Sequence, residues 1–563
     1  MRTEDLSTIE PAEAVPDSSP PALGPARREV LIAAFVAVLI SVVMNFGIVR
    51  HLTTKIPGTY DGLLAAWEMT WVGHASTHNP AQLWQSNAHY PNANGLAFHD
   101  ALFGYGIPFG WMGTSPTAAL IRFNLLFLFA YAMAFFGAWF LARELGIGAL
   151  PAAIAGAAFA FAPWRLSQPD HLHVLSSGGI PLSIALMLRG YRRRSIRTVI
   201  GGWLVATWQL SLGFTTGLML AYLLGGLAVL AAVWWAVTRV RIDRRMVLTT
   251  VAGVAVFAGW AAYQAAPYLW VARTHPEAVH SIGAVTKLSP TPAGYLTVPP
   301  GNFVWGRRAA PAARREGLLW PSEQELFPGA LALTFGAMGL FAGILRPWRR
   351  VVLILAIGLT VLLSMGFRSP VLSGVYKFWY DHAPGWKGIR TPGRLTTITT
   401  LALGILAAAG VHWLVTQVKR RTLAAAVSIV IVGGVLLEGA GTLRLYTPPA
   451  RTAAQPGLPG PQMHLPSDPD HDMHYMFWSV GDFPKIVNGH AIFIPRAQSE
   501  LRRDIVEFPD ARSVQLLRNL GVRTVVWHRA FAPGTPWGIS DAKPIEGLGI
   551  TRRNAGDIVI FIL

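Results

Sequence analysis

The sequence predicts an all-α polytopic membrane protein of about eleven transmembrane helices, with a small α/β domain at its C-terminal end. Three observations carry that expectation. The chain is 52% hydrophobic and only 13% charged, where a soluble domain holds roughly 25% charged residues. Its apolar residues gather into stretches of bilayer length. Basic clusters close alternate stretches: Arg192-Arg193-Arg194, Arg244-Arg245, Arg349-Arg350 and Lys419-Arg420-Arg421. A net charge of +18 would also suit a nucleic-acid partner. Short basic clusters at the ends of apolar segments are instead what orientation in a bilayer demands, so the partner is lipid and no nucleic acid is expected. Cysteine is absent, which excludes a disulfide framework, a thiol nucleophile and a Cys-based metal site. No dinucleotide-binding or P-loop glycine pattern appears.

Taken in order, residues 1–28 read as a disordered cytoplasmic tail, polar and rich in Pro, Glu and Ser. No signal-peptide cleavage pattern follows, so the first apolar segment reads as an uncleaved span. Spans are expected near 30–49, 117–141, 148–163, 174–189, 198–212, 214–237, 247–271, 329–345, 351–367, 395–417 and 423–441. Together they make a transmembrane unit over 29–444. The third is rich in Ala and Gly and should pack tightly. The positive-inside rule then assigns sides. Arg27 and Arg28, Arg143, the arginines of 189–197, 239–245 and 346–350, and Lys419 to Arg421 all fall on one side, the cytoplasm. The N-terminus is therefore cytoplasmic. Large outer loops span 50–116 and 273–328, with a shorter one at 368–394. Residues 445–563 form an extracytoplasmic soluble domain. Within it, 513–520 has helical spacing, and 524–527 and 557–563 read as buried strands.

The first outer loop is the most informative. Trp67, Trp71, His74 and His78 are spaced 4, 3 and 4 apart and share one helical face, as in an amphipathic helix lying at a membrane surface. Asp61 stands at its start. Two readings are open for it: a helix N-cap, or a carboxylate placed at the interface as a general base.

Several stretches resemble known proteins. They run from Asp61 through Trp67, Trp71 and His74 to Tyr90-Pro91. A second is Phe159-Ala160-Phe161-Ala162-Pro163-Trp164-Arg165 with His171 and Leu175-Ser176-Ser177. Others are Glu323 with Leu326-Phe327-Pro328-Gly329, then Arg390-Thr391-Pro392-Gly393-Arg394, and Trp478-Ser479 and Val487-Asn488-Gly489 in the tail. Together they resemble the membrane-embedded glycosyltransferases of the GT-C fold, in a bacterial multi-span family related to YfhO-like and ArnT-like sugar transferases. The resemblance implies a bacterial cell-membrane enzyme. Its donor would be a sugar on polyprenyl phosphate, delivered from the bilayer. Its acceptor, a glycan, lipid or protein, would enter from outside. An Asp would deprotonate the acceptor hydroxyl, which attacks the anomeric carbon with inversion. Asp61 matches that Asp, with Asp100 in reserve.

The leaving phosphate needs positive charge aimed at it. Lys387, Arg390 and Arg394 break the positive-inside trend, so orientation does not explain them. Arg122, one turn inside the second span, is a fourth candidate, although snorkelling to the headgroups accounts for it equally. Trp67, Trp71, His74, Asp100, His171, His173 and Glu323 are expected to line the cavity; for Glu323 a helix-start acid favoured by the dipole is the duller account. Asp170, His171 and His173 could hold a divalent ion, but a polar turn is the commoner use, so no metal site or cofactor is assigned. The segment Asp468-Pro469-Asp470-His471-Asp472 reads as a solvated turn. Trp478, Asn488 and His490 are weak candidates for holding an acceptor. A transporter or flippase would carry ionisable residues in mid-span and paired halves, and neither is evident. A non-catalytic membrane scaffold shares the same outline and stays the alternative.

Overall fold

The computed structural model describes residues 24–239, 243–307 and 318–563. The predicted tail at 1–28 therefore lies mostly outside the described residues. Among the described residues, eight helices are long and apolar enough to cross a membrane, fewer than the eleven predicted. The other three segments are helical but fall short. Arg27–Met44 carries Arg27, Arg28 and Glu29 in its first turn. Ile196–Leu210 has 15 residues and Ala330–Gly339 only 10, about 22 Å and 15 Å of rise against a hydrocarbon core of about 30 Å. The apolar run of the last continues into the turns at 340–346.

Thr396–Thr416 is the centre of the bundle and is buried from Thr396 to Val411. It packs on Ala330–Gly339, Ala149–Ala160 and Pro347–Ser364. Small residues set this closeness. A Cβ on Gly339 would strike the Leu406 carbonyl oxygen, and one on Gly410 would strike that of Phe335. Pro116–Glu144 packs on Ala149–Ala160, Gly179–Arg193 and Arg27–Met44. The Ala- and Gly-rich third segment does pack closely, with Gly156 against the Phe135 carbonyl. Such backbone-to-backbone contact is the usual way helices associate without a hydrophobic driving force.

The two ends of the bundle differ. At one end Arg143 pairs with Glu29 at 2.5 Å, and Arg189 and Arg192 share the buried Glu144 at 3.1 and 3.6 Å. These are the basic clusters that the sequence placed together. At the other end the long loops meet the C-terminal residues. Ile56–Pro57 pairs antiparallel with Leu445–Tyr446, and Asn302 bridges to Gly441.

The C-terminal region holds a four-stranded sheet in the order Gln462–Leu465, Thr524–His528, Ile558–Ile562, Thr551–Ala555. The first pair is parallel and the others antiparallel. Helices Pro469–Trp478, Arg496–Asp504 and Ala511–Asn519 complete it. The predicted helix and both predicted strands are present. The region docks on the first long loop: Tyr90 donates to the Ile486 carbonyl, Ile486 to that of Asn87, and His89 to that of Asn488.

Candidate active site

Helix Asp61–His78 starts at Asp61 itself. Tyr60 occupies the cap position and no side chain caps the helix, so Asp61 is not an N-cap. Its carboxylate lies in the first turn, where the helix dipole favours negative charge. It points instead toward His171, with 3.5 Å between Oδ2 and Nε2. His171 is held in turn: Nδ1 lies 2.7 Å from Gln168 Oε1, and the Gln168 amide donates to the Ser322 carbonyl. Those two bonds place the proton on Nδ1 and leave Nε2 for Asp61.

From His171 the polar groups continue without a break. Glu323 Oε1 lies 3.8 Å from His171 Nδ1. Arg394 grips Glu323 with two bonds, 2.6 Å from Nη2 and 3.2 Å from Nε. Its Nη1 donates to His173 Nε2 at 3.0 Å, so that nitrogen carries no proton. Asp100 Oδ2 stands 3.7 Å beyond, and its Oδ1 accepts the Phe214 N–H at 2.5 Å, at the start of Phe214–Thr238. Asp61, His171, Glu323, Arg394, His173 and Asp100 thus come from five separate stretches and meet at one end of the bundle.

Exposure divides them. The Asp61 side chain is 44% exposed, while those of Glu323 and Arg394 are 8% and 11%. Burial pushes the Asp61 carboxyl up, but the His171 hydrogen bond and charge, with His490 and His173 behind them, hold it down at about 2. Burial also works against Glu323, and Arg394 and His171 hold that carboxyl at about 2. Burial pulls His171 down, yet the Asp61 hydrogen bond and the Glu323 charge leave it raised. The cluster therefore offers one open, permanently ionised carboxylate beside an imidazole that readily holds a proton.

The remaining candidates stand elsewhere. Arg390 is exposed and donates to the Ile492 carbonyl at 3.2 Å, close enough to feel the charges of Arg394, Glu323 and Asp61. Lys387 lies over the Tyr380 ring, 5.7 Å from its centroid. Arg122 is fully buried and donates to the Phe109 and Gly113 carbonyls and to Thr70; it braces a loop. The aromatics of helix Asp61–His78 pack on protein. Pro469–Trp478 packs against the helix, Trp67 is fully buried and donates to Asn87 at 3.0 Å, Trp71 meets Phe483 edge-on and His74 stacks on it. The face predicted for these aromatics exists, but protein packs on Trp67, Trp71 and His74 and leaves His78 exposed. Trp478 donates to the Pro449 carbonyl and is buried. Asp170 accepts from the Thr59 N–H and leaves the histidines, and among the described residues no three His, Asp or Glu groups form a metal site. Sequence reasoning missed the part of Gln168, whose signal was only its place in a Pro-broken turn.

No protein-family model matches the sequence. No curated protein matches it either. Solved structures do. The arabinofuranosyltransferase AftD from Mycobacteria superposes with a TM-score of 0.52 at 16% identity, over 96% of this chain. The chain spans 42% of that protein's length. An oligosaccharyltransferase from Archaeoglobus fulgidus gives a TM-score of 0.44 at 14% identity, over 91% of this chain and 71% of its own. ArnT from Cupriavidus metallidurans, bound to undecaprenyl phosphate, gives 0.35 at 12% identity, over 95% and 98%. All three are GT-C glycosyltransferases. The chain is a multi-pass membrane protein and shares the fold of the first.

Proposed function

We propose that the protein is a membrane glycosyltransferase that moves a sugar from a polyprenyl-phosphate donor to an acceptor, with inversion and with Asp61 as general base. The observation that carries this is the state of Asp61: an ionised carboxylate left open at the junction of the loops, when Glu323 and Asp100 of the same cluster are only 8% and 12% exposed. A base at a pKa of about 2 accepts a proton poorly from a resting hydroxyl. The hydroxyl becomes acidic as its oxygen bonds to the anomeric carbon, so the proton passes to Asp61 late in the step. The bond from that carbon to the phosphate oxygen breaks, and the lipid phosphate leaves.

Arg390 is the better placed cation for that phosphate. Among the described residues its guanidinium bonds one carbonyl, while Arg394 already spends its fork on Glu323. Arg394 then positions Glu323 and His173. The basic clusters around Glu29 and Glu144 lie at the opposite end of the bundle, which supports the cytoplasm for that end and an outward-facing site. The test is transfer from radiolabelled polyprenyl-phosphate sugars. Asp61→Asn should lower turnover by about 10²–10⁴-fold while the protein still melts cooperatively as a folded chain. Normal turnover by that variant would falsify the role of Asp61.

A further inference from the structure

Segment 489–494 of the C-terminal region runs beside the proposed site. The Ile492 carbonyl takes the Arg390 bond, and the Ile492 N–H donates to the Phe98 carbonyl at 3.3 Å, two residues before Asp100. His490, two residues earlier, lies near enough to Asp61 for their charges to interact.

The segment is held by an unusual clamp. Asp472 is fully buried, and its two oxygens accept from Asn488 Nδ2 at 2.8 Å, the Gly489 N–H at 3.0 Å, Ser467 at 3.1 Å, Gln498 at 3.3 Å and Arg502 at 2.7 Å. Asn488 also spans the His464 backbone in both directions, at 2.6 and 2.9 Å. Gly489 sits flat on the His89 ring, where any Cβ would collide. The His490 N–H is tied to Met476 Sδ at 3.3 Å. All of this fixes the backbone that carries His490, and nothing engages its ring. Among the described residues neither ring nitrogen has a hydrogen-bond partner, and Nδ1 is buried. Nε2 is equally without a partner but is not buried, so a rigidly presented imidazole with an open nitrogen points to a ligand.

We propose that His490 is an acceptor-binding residue of the active site, supplied by the C-terminal region, whose Nε2 bonds a hydroxyl of a carbohydrate acceptor next to the one Asp61 deprotonates. This rests on Asp61 being the transfer base. Charge decides for the acceptor over the donor phosphate. Burial lowers the His490 pKa against the charges of Asp61, Asp472 and Asp470, which keeps the ring neutral, and it stands beside an anion. The cationic Arg390 bonds the Ile492 carbonyl, two residues further on. A neutral imidazole both gives and takes a hydrogen bond, as vicinal sugar hydroxyls require.

The test uses the full chain in detergent, a radiolabelled polyprenyl-phosphate sugar as donor and lipid-extracted cell-wall polysaccharide as acceptor. His490→Ala should raise the acceptor KM about tenfold, the worth of one hydrogen bond with its orphaned partner, and leave the donor KM within about twofold. His490→Gln, whose amide nitrogen can stand in for Nε2, should recover part of the loss. An unchanged acceptor KM in His490→Ala, with Asp61→Asn inactive, overturns the His490 assignment alone. An active Asp61→Asn overturns both. No transfer to polysaccharide by the unsubstituted chain overturns the carbohydrate acceptor. Should the variants misfold, carbethoxylation of the unsubstituted protein decides. Polysaccharide should protect His490 and not the exposed His78, and equal labelling with and without it counts against the proposal.

Discussion

Two stretches of the chain set acids beside histidines, 168–173 and 468–474, and the molecule uses them in opposite ways. In the first, each side chain reaches a different part of the fold. Asp170 meets Thr59, His171 meets Asp61 and Glu323, and His173 meets Arg394 and Asp100. In the second, the groups close on themselves and on their own domain. Asp468 caps Pro469–Trp478 through the Asp470 and His471 N–H groups and pairs with His471 at 2.5 Å. His474 bonds Tyr446 at 2.6 Å, and Asp472 is sealed in its clamp. The first arrangement leaves a charge open to a substrate. The second satisfies its charges and builds a wall. Similar residue strings therefore differ in function according to whether their partners come from near or far in the chain.

The comparison breaks most sharply on stability. Asp472→Ala leaves the Arg502 guanidinium, 12% exposed, and four further donors without their acceptor. Removing one partner of such a buried pair costs about 3–5 kcal/mol. We expect a large fall in the unfolding midpoint of the C-terminal region, read by thermal melting in detergent. Asp61→Asn, at a partly open site, should lower that midpoint far less. Equal melting of the two variants would erase the distinction between wall and site.

A smaller effect concerns pH. His171 is raised in the folded chain, so its contribution to stability is complete below its unfolded value of about 6.5 and is lost as pH rises through the folded value. Melting temperature should decline over that alkaline window. His171→Gln should flatten the decline, because no proton is then held between Asp61 and Glu323. Profiles that coincide from about pH 6 to about pH 9 would show that His171 does not carry a proton there.

Much of this was legible in the residues, and the rest for definite reasons was not. The motif residues Asp61, His171, Glu323 and Arg394 meet, because they were picked by chemistry that breaks the local trend: an acid at a helix start, cations on the wrong side of the charge pattern. The strands at 524–527 and 557–563 were legible from apolar runs. Two kinds of fact were hidden. Helix Asp61–His78 has aromatics on one face, which fits a membrane surface as well as a protein lid, and only the docking of Pro469–Trp478 shows protein packed on the helix. Asp472 looked like a solvated acid in a Pro-broken turn because four of its five donors, Asn488, Gly489, Gln498 and Arg502, lie 16 to 30 residues away. Periodicity carries no information at that range.

The smallest expected effect separates two cations that the sequence could not rank. Arg390 and Lys387 are three residues apart and both exposed. Arg390 leans to the segment beside the site, and Lys387 leans to the Tyr380 ring. A contact of that kind is worth about 0.5–1 kcal/mol at an exposed position, and a lysine off the site acts on a bound phosphate only through a field that salt screens within about 10 Å. Arg390→Gln removes a charge-assisted bond, about 1.5–3 kcal/mol, and should raise the donor KM about tenfold or more. Lys387→Gln should keep it within about twofold and lose only a little stability. Donor titrations on both variants at low and high salt settle the ranking. A larger KM rise for Lys387→Gln than for Arg390→Gln would move the phosphate away from Asp61 and toward the helix Ser373–His382, and the catalytic role of the Asp61 cluster would not survive that shift.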